Sequence, residues 1–205
     1  MAYFSNKDIC NLQHLYKINL INSCSGYKSA NLIGSKSASG ISNVAIFSSV
    51  THIGSSPALL GFFLRPTTVI RNTYENIKET GVYTINHVHK SILEDAHHTS
   101  AKYDASISEF DKTALEDVYL NDHPAPYVKN APLQIGMRYV EEYHIKANDT
   151  ILIIGEIHHI YIKDNLLMDD GFIDLSEAEV ATISGLDGYS IPKLHKRFGY
   201  QRPTR

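Results

Sequence analysis

Apolar and polar positions alternate most regularly in the second half of the chain. Met137 to Ile145 and Thr150 to Lys163 read as a strong strand pair, and the second, TILIIGEIHHIYIK, is the most β-prone segment present. Shorter strand-like runs occupy Ser29 to Ser35 (around Leu32 and Ile33), Ile41 to Phe47, and Pro57 to Leu64, with proline tolerated at the first position of a strand. Lys36 to Gly40 reads as a turn, and a polar turn region follows Leu64. A short helix comes next: Asn72 or Thr73 can serve as N-cap, Asn72 and Glu75 have capping-box spacing, and Gly81 suits the C-cap. Val82 to Val88 alternates like a strand, and a second helix is expected near Ser91, with Glu94 three positions on.

Elsewhere the pattern is weaker. Leu12, Leu15 and Tyr16 have helical spacing, whereas Ile18, Leu20 and Asn22 alternate like a strand. Thr99 to Phe110 reads as loop with a short helix, and Pro124, Pro126 and Pro132 leave room only for short extended pieces. Asp169-Asp170-Gly171 is a turn signal leading into Phe172 to Leu175, with a brief helix expected over Ser176 to Ala181. Many strands interrupted by two or three short helices predict a mainly β fold, a barrel or sandwich with appended helices. The long crossover helices of a doubly wound sheet are lacking, as is a GxGxxG after a strand.

At 205 residues the chain is expected to form a single domain, 1–205. Residues 1–25 are read as an N-terminal segment in which helical and strand-like spacings compete, and 190–205 as a basic tail, surface-draped or partner-contacting. A formal charge of −3 gives no broad surface for nucleic acid or membrane, and no apolar run approaches the ~20 residues a span requires. The tail residues Lys193, His195, Lys196, Arg197, Arg202 and Arg205 do not change that expectation. Two cysteines, Cys10 and Cys24, and an opening without a signal-peptide pattern lead to a cytoplasmic expectation.

The candidate chemistry lies between Ile41 and Asn86. Ser48, Ser49, Arg65, Arg71, Asn72 and Thr73 offer hydroxyls, an amide, two guanidiniums and a helix N-terminus, which together suit a phosphate. The competing reading is a capped helix with solvated arginines, and serines that merely turn the chain. Eleven histidines invite a metal, yet there is no HExxH and no cysteine pair with ligand spacing, so none is expected. His158 or His159 is read as lining this same candidate site or a subunit interface beside it, or as a packed strand histidine. No GxSxG marks a nucleophile elbow.

Asn43-Val44-Ala45-Ile46-Phe47-Ser48-Ser49, Pro57 to Phe62, Arg71 to Ile77 and Gly81 to Asn86 together resemble the flavin reductase-like family. Thr99-Ser100-Ala101, Glu109-Phe110, Gly155 to Ile160, Asp170 to Leu175 and a worn Gly185 to Tyr189 extend the resemblance over roughly Gly26 to Tyr189. It implies an FMN-binding split β-barrel of Greek-key type with a few short helices, in a homodimer. It also implies cofactor-binding roles for Asn43, Phe47, Ser48, Ser49, Val50, Arg65, Arg71, Asn72, Thr73 and Asn86, with no side chain required as acid or base. The activity implied is an NAD(P)H-dependent flavin reductase, taking hydride from NADH or NADPH and passing electrons to a second acceptor. The alternative is a flavoredoxin-like electron-transfer protein reduced by a protein partner. A non-flavin binding or structural module is the third reading.

Overall fold

The computed structural model describes residues 1–203; Thr204 and Arg205, the end of the predicted tail, lie outside the described residues. In chain order the elements are α1 (Asn6–Asn11), α2 (His14–Cys24), β1 (Lys28–Ser29), β2 (Asn31–Lys36), β3 (Ser42–Phe47), β4 (Thr51–Ser55), β5 (Ala58–Leu64), α3 (Asn72–Thr80) and β6 (Val82–His87). A 3₁₀ turn at Lys90–Ile92 leads into α4 (Leu93–His98), and a second 3₁₀ turn spans Glu109–Lys112. Then come β7 (Asp117–Val118), β8 (Tyr127–Val128), β9 (Leu133–Ile145), β10 (Thr150–Ile162), β11 (Thr182–Ser184) and β12 (Gly188–Ser190).

Seven strands form one sheet in the order β3-β2-β6-β9-β10-β5-β4, antiparallel throughout. Flat, that order would hold β3 and β5 about 24 Å apart, five strand spacings. Instead the Phe47 ring at the end of β3 meets Phe62 of β5 edge-on at 5.1 Å, and Phe62 meets Tyr83 of β6 at 5.7 Å. The sheet therefore curls into a barrel around Ile33, Phe62, Ile77, Tyr83, Ile85 and Ile153. Ser48-Ser49-Val50 carries the chain across the seam from β3 at one edge to β4 at the other.

Adjacent strand residues face opposite ways, so Leu32 and Val44 leave the barrel for a second apolar layer. There α4, the 3₁₀ turn at Glu109, β8 and β11 cover them through Ala96, Phe110, Val128 and Ile183. Burial on both faces explains why β2 reads as a nearly continuous run with only weak alternation. The β9–β10 pair extends the expected strand back to Leu133 and holds register through two irregularities. Gly155 in β10 has a specific reason to be glycine: a Cβ there would overlap the Tyr83 hydroxyl and lie 3.0 Å from the Arg138 carbonyl oxygen.

Four local expectations are corrected. Ile18, Leu20 and Asn22 lie in α2 together with Leu15 and Tyr16, while Leu12 ends α1 in extended backbone. Ser176 to Ala181 forms turns, because the Asp174 carboxylate accepts from the N–H groups of Ser176 and Glu177 and ends the segment locally. Pro57 precedes β5 in the β4–β5 turn, on a cis peptide bond. β4 is a strand the hydrophobic pattern does not mark, since this edge strand is mostly exposed and has no apolar face. At the ends of the chain, α1 and α2 bury none of their residues. The tail rests on the 170–176 segment, with Arg197 paired to Asp170 and stacked over Phe172 at 4.1 Å.

Two predictions follow from this packing. Gly155→Ala is expected to destabilise the fold by about 2 kcal/mol through overpacking. Adding Tyr83→Phe, which removes the overlapping oxygen, should recover part of that loss in a urea-denaturation double-mutant cycle. At the end of β6, His87 is partly exposed as a residue, but its Nδ1 is fully buried and unpartnered, and burial lowers its pKa to about 4. Below about pH 6.5 the unfolded chain binds a proton that the folded state refuses until about pH 4. Stability should therefore be complete above that window and fall with decreasing pH by up to about 1.4 kcal/mol per unit from this group. Urea midpoints between pH 4 and 7.5 should fall less steeply in His87→Phe than in the parent.

Candidate functional site

The site is built where β3, the seam turn, the end of β5 and the start of α3 converge. Phe47 and Val50 are partly buried and pack against the barrel core. Ser49 is committed to the seam: its hydroxyl accepts from the Phe63 N–H at 3.1 Å and donates to the Phe63 carbonyl at 3.0 Å. Ser48 beside it is half-buried, and its hydroxyl has no hydrogen bond within the chain among the described residues. From Phe63 the strand ends at Leu64, and the exposed segment from Arg65 to Ile70 leads to α3.

The start of α3 differs from the expected cap. Arg71 is the N-cap, with φ −122° and ψ 96°, and makes no side-chain capping bond; Asn72 and Thr73 already belong to the first turn. Thr73 cannot cap because its hydroxyl is used elsewhere. It donates to the Asn43 amide oxygen at 3.1 Å, while the amide nitrogen of Asn43 donates to Glu109 Oε2 at 3.2 Å. The N–H groups of Asn72 and Thr73 consequently find no acceptor among the described residues. Arg71 Nε is buried without a partner. Neither Arg65 nor Arg71 forms an ion pair among the described residues. Two free N–H groups, a buried guanidinium nitrogen and the positive end of a helix fit a phosphate.

Beside this turn lies a cleft of about 400 Å³, lined by Asn43 and Asn72 together with Ser42, Asn76, Asp104 and Ser106. Of the ten sequence-derived positions, Asn43 and Asn72 line this cleft, Arg71 and Thr73 flank Asn72 at the turn, Phe47 to Val50 run along the seam, and Arg65 follows the end of β5. Asn86 does not join them. It is fully buried in β6, donating to the Leu32 carbonyl (3.1 Å) and Thr84 Oγ1 (2.9 Å) and accepting from the Val128 N–H (3.0 Å). Its amide is satisfied within the fold, as a buried sheet amide.

Two supports of the site have no local sequence signal. Glu109 is buried over β3, accepting from the Val44 N–H at 3.1 Å; burial pushes its carboxyl above the usual range, against the pull of the Glu109 and Val44 N–H groups. Glu142 of β9 binds Tyr74 (3.0 Å) and Lys78 (3.2 Å), one turn apart on α3. Burial pushes the Glu142 carboxyl up, but the hydrogen bonds from Tyr74 and Lys78 outweigh it and leave it below its ordinary value. Each of these contacts joins residues more than 60 positions apart in the chain, so no local window reveals it. Among the described residues no group of three or more His, Cys, Asp or Glu is arranged to hold a metal ion. No helix among them is long and apolar enough to cross a membrane.

Comparison with known proteins follows the same lines. No curated protein sequence matches the chain significantly. A crystal structure from Shewanella frigidimarina, described as a flavin reductase with a split barrel domain, is 45% identical. It superposes with a TM-score of 0.95 over 98% of this chain and 100% of that one. Nitrilotriacetate monooxygenase component B from Bacillus cereus shares the fold at 16% identity, with a TM-score of 0.82 over 98% of each chain. Flavoredoxin of Desulfovibrio vulgaris does so at 20% identity, with a TM-score of 0.73 over 85% of this chain and 92% of that one. The family model for the flavin reductase like domain matches residues 28–174, from β1 to the end of the Asp170 turn. With the curled antiparallel sheet and the 45% identical split barrel, that match makes this chain a member of the flavin reductase-like family.

Proposed function

We propose that the chain binds FMN and acts as an NAD(P)H-dependent flavin reductase. The observation that carries the cofactor assignment is the uncapped start of α3, where Arg71 Nε is buried and unpartnered beside the free N–H groups of Asn72 and Thr73. These groups would hold the phosphate, with the guanidinium of Arg65 as a second cation. Asn43 would act through Thr73, fixing the first turn of the helix. The free hydroxyl of Ser48 and the backbone from Phe47 to Val50 would line the flavin, while Ser49 keeps the seam in place. When bound, the flavin supplies the hydride and electron chemistry, so the residues of this chain are required to bind, orient and exclude water.

The reductase reading is favoured over an electron-transfer protein because the 45% identical structure is described as a flavin reductase, whereas the flavoredoxin is 20% identical. Exposed Phe63, Val69 and Ile70 border the site and suit cover by a second copy of the chain, hence a homodimer. The physiological oxidant, a second flavin or an acceptor protein, is where the two readings diverge.

The test is an anaerobic visible spectrum of the protein after reconstitution with FMN and desalting, followed by NADH and then NADPH. Retained oxidised-flavin absorbance that bleaches with a nicotinamide is expected; retained absorbance that neither nicotinamide bleaches would move the assignment to electron transfer. Arg71→Gln should weaken FMN binding by roughly ten- to a hundredfold, the scale of one charge-assisted hydrogen bond, while leaving the urea midpoint unchanged. Asn86→Ala should do the reverse. It strands the Val128 N–H and Leu32 carbonyl, costs about 2–4 kcal/mol of stability, and leaves the FMN affinity of the folded protein unchanged.

A further inference from the structure

A larger cavity, of about 520 Å³, lies elsewhere in the fold and shares no residue with the ten flavin positions. Its size is that of a small-molecule site. Val82 of β6 and Met137 and Arg138 of β9 line one side, and the turn from Asn121 to Pro124 closes over them with His158 and His159 of β10. Gly136 keeps this wall thin, because a Cβ there would overlap the Tyr127 hydroxyl and press on the His159 ring at 3.1 Å.

Its chemistry is specific. His123 is buried, and its Nε2 lies 3.1 Å from the Tyr83 carbonyl oxygen. A carbonyl only accepts, so Nε2 carries a proton and the other ring nitrogen remains available. The His123 ring stands edge-on to His159 at 5.7 Å, and His158 lies 6.5 Å from His159. Arg138 is exposed and makes no ion pair among the described residues. The acidic group of the lining is Asp122; Glu156 nearby is engaged by His158 at 3.5 Å.

We propose that this cavity binds a small planar monocarboxylate. The guanidinium of Arg138 presents paired donors that match a carboxylate. One fixed cation set against Asp122 suits a single negative charge better than a phosphate dianion. Val82, Pro124 and the flat imidazole rings accommodate an apolar ring. This site is independent of the flavin assignment.

The test follows the histidine ring signals of the full-length protein by NMR while benzoate is added, with and without FMN. Saturable shifts confined to His123, His158 and His159, out of eleven histidines, are expected. Arg138→Gln should weaken benzoate binding at least tenfold and leave the FMN titration unaltered. Neutral benzamide, tested on the unsubstituted protein, should bind at least tenfold more weakly than benzoate. The proposal is overturned if benzoate gives no saturable shift, if all histidines shift alike, or if Arg138→Gln or benzamide titrates as the parent does with benzoate. Equal shifts from inorganic phosphate would also overturn it.

Discussion

The curl of a single sheet onto its own edge is the constraint on which the rest of the molecule depends. The edge-on contacts from Phe47 through Phe62 to Tyr83 draw together strands that would otherwise lie far apart. Edge-to-face pairing adds direction to hydrophobic burial, so these rings fix how tightly the sheet turns. Gly155 sets the limit of that approach by leaving room for the Tyr83 hydroxyl. Once the barrel is curled, the seam has to be crossed in three residues, Ser48 to Val50. The first turn of α3 is then brought against β3 through Asn43 and Thr73.

The parts of this arrangement readable in the sequence are those decided by neighbours in the chain. The β9–β10 pair declares itself through β-branched residues in alternation, and α3 through the Gly81 stop, which the structure holds at φ 72°. β4 is invisible because an exposed edge strand has no hydrophobic face to display. α2 is ambiguous because a short helix that buries nothing has no strong period to impose. The cap of α3 is misjudged for a different reason. Thr73 has the right chemistry, but a residue thirty positions earlier, Asn43, takes its hydroxyl first.

The same distinction governs the site. Arg71 and Asn72 were accessible to sequence reasoning because helix termini have a local grammar. Asn86 is named from the family resemblance alone, and its amide is consumed by Leu32, Thr84 and Val128, a commitment set by the outer layer. The contacts of Glu109 and Glu142 have no local signature. Both are carboxylates that the fold brings in from distant segments, one to hold β3 and the other to hold α3. The candidate phosphate turn is thus local in composition and tertiary in its support.

The seam crossing has a practical consequence for anyone wishing to make the protein hardier. Phe47 both packs against the core and is a flavin candidate, so tightening the barrel around Phe62 would also shift the proposed flavin site. Gains in heat resistance sought there are prone to be lost in turnover, the trade that attends active sites built into a core. The N-terminal helices carry no such double duty. None of their residues is fully buried, and none lines the candidate cleft, so their exposed positions can be redesigned without touching it.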